Sequence, residues 1–136
     1  MHQNSKIQLL KKVPLFARCS IKELRRIATI ADEVQLPEGK SLTRQGDRGR
    51  EFFVLLKGTV HVRKSGRKVR TLGPGDFMGE IALLTQAPRT ATVTAASPVE
   101  VLVITSRDFR SFLRDSPNVQ LKVLQALAER LAADVI

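Results

Sequence analysis

The sequence predicts a mainly β protein with flanking helices. The expected fold is an antiparallel, jelly-roll-like β-roll of about eight strands, with N-terminal helices, a short inserted helix and C-terminal helices. Three observations carry this. Between residues 33 and 104, short runs of β-branched and apolar residues recur between glycine-containing turns. Residues 6–30 and 106–135 instead space their apolar residues as helices do. One segment, 79–86, interrupts the strand series with a compact apolar run directly after a glycine. The chain has 136 residues, 43% of them hydrophobic, so residues 1–136 read as a single domain able to bury a core.

The helical lead-in covers 6–30. Ile7, Leu10 and Val13 precede Pro14, which interrupts the pattern, and Phe16 sits in the connecting turn. Ser20 is the expected N-cap of the next helix, with Glu23 as its capping-box partner. Ile21, Leu24, Ile27, Ala28 and Ile30 then share one face, with Lys22, Arg25 and Arg26 on another. Cys19, between the two helical pieces, reads as a small turn residue. The strands follow: Val34–Leu36, Ser41–Arg44, the doubly apolar Phe52–Leu56, the alternating Thr59–Arg63, Lys68–Leu72, Ala91–Ala96 and Val99–Ile104. Ser65-Gly66 is a hairpin turn. Ser106 is the expected N-cap of a helix over 107–113, and Ser116-Pro117 opens the last helix. That helix carries Val119, Leu121, Val123, Leu124, Ala126, Leu127, Ala128, Leu131, Ala132 and Val135, an apolar surface wider than one docking face needs. It lies deep against the roll, covers a ligand, or meets another subunit.

Composition excludes several classes. No apolar run approaches the roughly 20 residues of a membrane helix. The N-terminus lacks a signal-peptide core, and a single cysteine makes no internal disulfide, so a cytoplasmic setting is expected. The net charge of +10 brings nucleic acid or an acidic membrane surface into consideration, but the basic residues are spread along the chain and read first as a solvated surface that attracts small anions, with a specific acidic partner as the alternative. The densest cluster, Arg63-Lys64-Ser65-Gly66-Arg67-Lys68-Val69-Arg70, has no interleaved aromatics, and the chain has no Trp or Tyr. Nucleic acid is therefore not favoured. His2 and His61 are far apart, and His61 faces opposite Val60 and Val62 on its strand, toward solvent. There is no paired Cys/His metal spacing, G-x-S-x-G or P-loop, so no metal site and no enzyme chemistry are expected.

The chemistry concentrates in Gly73–Leu84 and Pro88–Val93. Gly73, Gly75 and Gly79 are spaced G-x-G-x-x-x-G; Met78 stands where a dinucleotide fingerprint needs glycine, and no βαβ unit surrounds it. No nicotinamide or flavin cofactor is expected. A short helix starting past Gly79 would offer N–H groups to an anion, and Arg89 a forked donor suited to phosphate. Glu80 suits a sugar hydroxyl instead; capping the short helix or pairing with Arg89 is the plainer alternative.

Gly79-Glu80-Ile81-Ala82-Leu83-Leu84 followed by Pro88-Arg89-Thr90-Ala91-Thr92-Val93 resembles the phosphate-binding cassette of the cyclic nucleotide-binding domain family. Met78 replaces the family's usual Phe, a packing position. Val13-Pro14-Leu15-Phe16 and Leu24-Arg25-Arg26-Ile27-Ala28 also resemble that family's helical lead-in. The resemblance implies that Arg89 holds the exocyclic oxygens of a cyclic phosphate and Glu80 accepts from the ribose 2′-OH. Backbone N–H groups of Gly79, Ile81, Ala82 and Ala91 would complete the phosphate site, with Thr90 next to the base. A hydroxyl at Thr90 is compatible with guanine without excluding adenine; cyclic AMP is favoured, with cyclic GMP open. The implied activity is a regulatory sensor, not an enzyme, in which ligand capture tightens 79–91 and the helices at 106–135 close toward the base. Its partners would be the cyclic nucleotide and an effector domain or protein, with a homodimer through the C-terminal helix open. Whether the chain is a fragment or stands alone is also open. The competing reading is a basic nucleic-acid-binding or scaffold protein with a degenerate, non-binding cassette.

Overall fold

A computed structural model describes residues 2–134. Val135, the last residue of the expected apolar stripe, lies outside the described residues. The chain divides into two compact units: a roll, Asp32–Arg107, and a helical unit made of the residues up to 31 and those from 108 onward.

The helical unit begins with α1, Gln3–Leu10, which buries Ile7 and Leu10. Pro14 then opens a single 3₁₀ turn, Pro14–Phe16. Helix α2, Ile21–Ala28, starts on the expected capping box: Glu23 N–H donates to Ser20 Oγ (3.1 Å) and Ser20 N–H to Glu23 Oε1 (2.8 Å). Cys19 is half-buried just ahead of it, and burial pushes its thiol up to about 11, with Glu23 adding and Lys122 opposing. An inert turn thiol is what the sequence predicts. The later helices are α3, Ser106–Arg114, and α4, Pro117–Asp134. Ser106 is the first residue of α3 rather than a cap ahead of it. Its N–H donates to Arg50 O (2.8 Å), so the chain passes from strand into helix without an intervening residue. On α4, Val119, Val123 and Ala126 are buried, whereas Leu121 and Leu124 are 56% and 64% exposed. Among the described residues the buried positions of the broad apolar surface form one stripe.

The roll contains eight strands: β1 Asp32–Leu36, β2 Ser41–Thr43, β3 Glu51–Lys57, β4 Val60–Lys64, β5 Arg67–Leu72, β6 Phe77–Met78, β7 Thr92–Ala95 and β8 Val99–Thr105. They form two antiparallel sheets, ordered β1-β8-β3-β6 and β2-β7-β4-β5. The inward positions of alternating strands supply the core, including Phe53, Leu55, Val60, Val62, Val93 and Val101. Ser65 and Gly66 both have positive φ (51° and 79°), the geometry a two-residue hairpin demands. Strand β6 is the element the sequence hides: its two residues sit at the head of the cassette and pair with Phe53 and Val54 of β3. The inserted helix at 79–86 is a single 3₁₀ turn, Glu80–Leu83, shorter than an α-helix because Gly79 opens it and Leu83 closes it into the core. Among the described residues no helix is long and apolar enough to cross a membrane, and no His/Cys/Asp/Glu cluster could hold a metal ion.

Candidate functional site

The cassette is suspended between β6 and β7 and fastened at both ends. At its start, a turn at Gly73–Asp76 is closed by Gly73 N–H donating to Asp76 Oδ2 (2.8 Å). Gly75 N–H then donates to Leu55 O (2.8 Å) and Leu55 N–H to Asp76 O (2.8 Å), which fixes β6 against β3. Gly79 follows at φ +79°, a conformation other residues rarely adopt. The 3₁₀ turn is then held by Ala82 N–H donating to Gly79 O (2.9 Å), with Ala82 and Leu83 buried beneath it.

The far end is clamped by the loop 46–49. Arg89 N–H donates to Asp47 O (2.7 Å), Gly46 N–H to Arg89 O (2.9 Å) and Gly49 N–H to Ala87 O (3.1 Å), while Arg48 and Pro88 form an isolated bridge. Thr43 Oγ1 donates to Ala91 O (3.0 Å), and Gln45 N–H to Thr92 Oγ1 (2.9 Å). The backbone of Arg89 is thus set by segments some 40 residues earlier in the chain.

Its side chain is set as well. Nη2 donates to the backbone carbonyl of Glu51 (2.6 Å), a charge-assisted bond, and Cζ lies 6.0 Å from the centroid of the Phe53 ring. A Cβ on Gly79 would overlap Nη1 and come within 2.9 Å of Glu51 O; a Cβ on Gly49 would come within 3.2 Å of Nε and 3.1 Å of Ala82 Cβ. Two glycines therefore make the space in which the half-buried guanidinium lies. Burial lowers the pKa of Arg89 from its usual value, with the Glu51 charge opposing. A guanidinium remains protonated through such a shift.

Of the predicted site residues, Gly79, Glu80, Ile81 and Ala82 form the turn and Arg89, Thr90 and Ala91 the returning segment. Gly79 meets Arg89 directly. Glu80 is buried at 5% exposure, whereas Thr90 is exposed. Sequence reasoning missed Gly49, Glu51 and Phe53. Phe53 read as strand core, and nothing in the local pattern singles out Gly49 or Glu51; only packing against Arg89 brings them to the site. A separate cleft of about 530 Å³ is lined by Gln35, Leu36, Pro37, Lys57, Pro98, Val99 and Glu100 and includes no cassette residue. Within it Lys57 Nζ lies 3.6 Å from Glu100 Oε2, and Gln35 Nε2 donates to Glu100 Oε1 (3.1 Å).

Residues 33–116 match the family model of the cyclic nucleotide-binding domain. The chain belongs to the cyclic nucleotide-binding domain family. A cGMP-dependent protein kinase egl-4 from Caenorhabditis briggsae is 37% identical over 116 residues, covering 80% of this chain and 16% of the kinase. A cAMP-dependent protein kinase regulatory subunit from Mycosarcoma maydis is 36% identical over 115 residues, covering 78% of this chain and 22% of the subunit. The chain thus spans under a quarter of the length of either relative. The crystal structure of the N-terminal domain of a transcriptional regulator from Streptomyces coelicolor A3(2) superposes with a TM-score of 0.85 at 31% identity, covering 93% of this chain and 94% of that one.

Proposed function

We propose that residues 79–91 hold the phosphate and ribose of a cyclic 3′,5′-nucleotide, and that the domain is a regulatory sensor that binds and releases this ligand unchanged. The observation that carries this is the prepositioned Arg89: its guanidinium is oriented by Glu51 O, walled by Gly49 and Gly79, and committed through one of its five N–H donors. The remaining donors suit the exocyclic oxygens of the phosphate. Glu80 would accept from the ribose 2′-OH, and the backbone N–H groups of Gly79, Ile81, Ala82 and Ala91 would complete the anion site. Ala82 N–H donates to Gly79 O in this structure, so its use by a phosphate requires the 3₁₀ turn to open. That rearrangement is a natural origin for the switch: a ligand that binds the opened turn better shifts the population toward it, by its differential affinity and no more. Movement of the helices at 106–135 toward the base would follow. Thr90 lies beside the base in this scheme. We favour cyclic AMP over cyclic GMP; the kinase relatives are named for one or the other. An effector domain or partner protein in the cytoplasm would read the change.

Calorimetry with each cyclic nucleotide tests the reading. Micromolar binding corresponds to about −8 kcal/mol. Arg89→Ala removes two charge-assisted bonds of roughly 1.5–3 kcal/mol each, a loss of at least about a hundredfold. No heat with either nucleotide, together with steeply salt-dependent DNA binding, would instead establish the nucleic-acid or scaffold reading.

A further inference from the structure

The charge of the roll is segregated between its sheets. The strands of sheet β1-β8-β3-β6 carry Asp32, Glu33, Glu51 and Glu100, whereas those of β2-β7-β4-β5 contain no acidic residue. The second sheet instead carries Arg63, Lys64, Arg67, Lys68 and Arg70 on the β4–β5 hairpin. Among the described residues none of these five has a carboxylate partner.

Their pairing makes the arrangement costly. Arg63 lies directly opposite Lys68, and Lys64 opposite Arg67. Like charges in direct cross-strand register destabilise a hairpin, so folding alone does not account for them. By register Arg63 and Lys68 share the outward side of the sheet with His61, Thr71, Thr92 and Thr94; Lys68 and Thr71 are exposed and the others half-buried. Desolvation first, and then the charges of Lys68 and Arg63, hold the His61 imidazole below its usual pKa.

We propose that this face docks on an anionic phospholipid bilayer. The register slips between Val62 and Arg63, leaving Val69 as an extra residue at a bulge, 51% exposed between Lys68 and Arg70. An apolar side chain flanked by cations gains at the boundary of headgroups and acyl chains and gains nothing on a nucleic-acid phosphate backbone. The same bulge interrupts the free edge of β5, which argues against an acidic peptide adding there as a strand. The chain has no Trp or Tyr on which bases could stack.

Sedimentation of the intact chain with phosphatidylserine-containing vesicles, against pure phosphatidylcholine, tests this. Each Lys or Arg near such a surface contributes roughly fivefold, so Arg63→Gln with Lys68→Gln should weaken binding about 25-fold. The same double variant should melt no lower than wild type, because it relieves a like-charge pair. Lys11→Gln with Lys12→Gln removes equal charge from an exposed site elsewhere and should change binding little. Val69→Ser should weaken the binding that survives high salt. Failure to sediment with phosphatidylserine vesicles, equal loss in the two double variants, or retention by duplex DNA without vesicle binding would each overturn the proposal.

Discussion

Gly79→Ala is the most searching perturbation of the cassette, because the space it fills belongs to Arg89. Alanine at φ +79° costs about 1–2 kcal/mol in backbone strain alone. Its Cβ would also overlap Arg89 Nη1, so the guanidinium must leave and its 2.6 Å bond to Glu51 O is lost. A hydrogen bond to a charged group contributes roughly 1.5–3 kcal/mol, giving a total of roughly 2.5–5 kcal/mol. For a domain of this size that corresponds to a fall of about 10–20 °C in Tm. With Arg89→Ala already in place the overlap with the guanidinium and the bond are both gone, and Gly79→Ala should cost only the strain of about 1–2 kcal/mol and the 2.9 Å approach to Glu51 O, which both backgrounds share. Thermal denaturation of the two single variants and the double variant thus predicts a coupling of roughly 1.5–3 kcal/mol between Gly79 and Arg89. Losses that add to within about 0.5 kcal/mol would show that the glycine does not act through the arginine, and would refute the assignment of the pocket.

Glu80→Gln should narrow the preference for cyclic AMP over its 2′-deoxy analogue to a few-fold or less; an undiminished preference in calorimetry would remove Glu80 from the ribose. In the helical unit, Ser20→Ala should cost about 1 kcal/mol through loss of the α2 cap, seen as a lowered Tm. Burial pushes the Glu23 carboxyl up, but hydrogen bonds from Lys122 and from the backbone and hydroxyl of Ser20, with the Lys122 charge, outweigh this and hold it below its usual range. Its contribution to stability is therefore present above the unfolded carboxylate pKa and lost as pH falls through the lowered one. Glu23→Gln should flatten the acid limb of a stability–pH curve, and an unchanged limb would contradict the pairing.

The cassette was legible because its chemistry is local in sequence. Gly79, Glu80, Arg89 and Thr90 lie within a dozen positions of one another, so the stretch shows its resemblance to the family without any tertiary information. The strands of the roll were legible through their alternation and turns, and Ser20 with Glu23 through a three-residue spacing. Strand β6 was hidden because two residues are too few to show a period, and only pairing with Phe53 and Val54 makes Phe77–Met78 a strand. The start of α3 differs by one residue: Ser106 follows directly on β8 and gives its N–H to Arg50, a partner no local pattern contains.

By itself, then, the sequence determined the β-roll with flanking helices and, through its resemblance to the family, the stretch expected to hold a cyclic phosphate and a ribose. Periodicity, turn chemistry and donor inventory are properties of short segments. Tertiary structure decided how Arg89 is held. Gly49 is 40 positions away and Glu51 38, and both reach it only because the 46–49 loop pairs with 87–89 and β3 lies beside the turn. It also decided which stripe of α4 is buried, and that five cations share one acid-free sheet. Register between distant strands places side chains together, and register is settled by the packing of the whole roll.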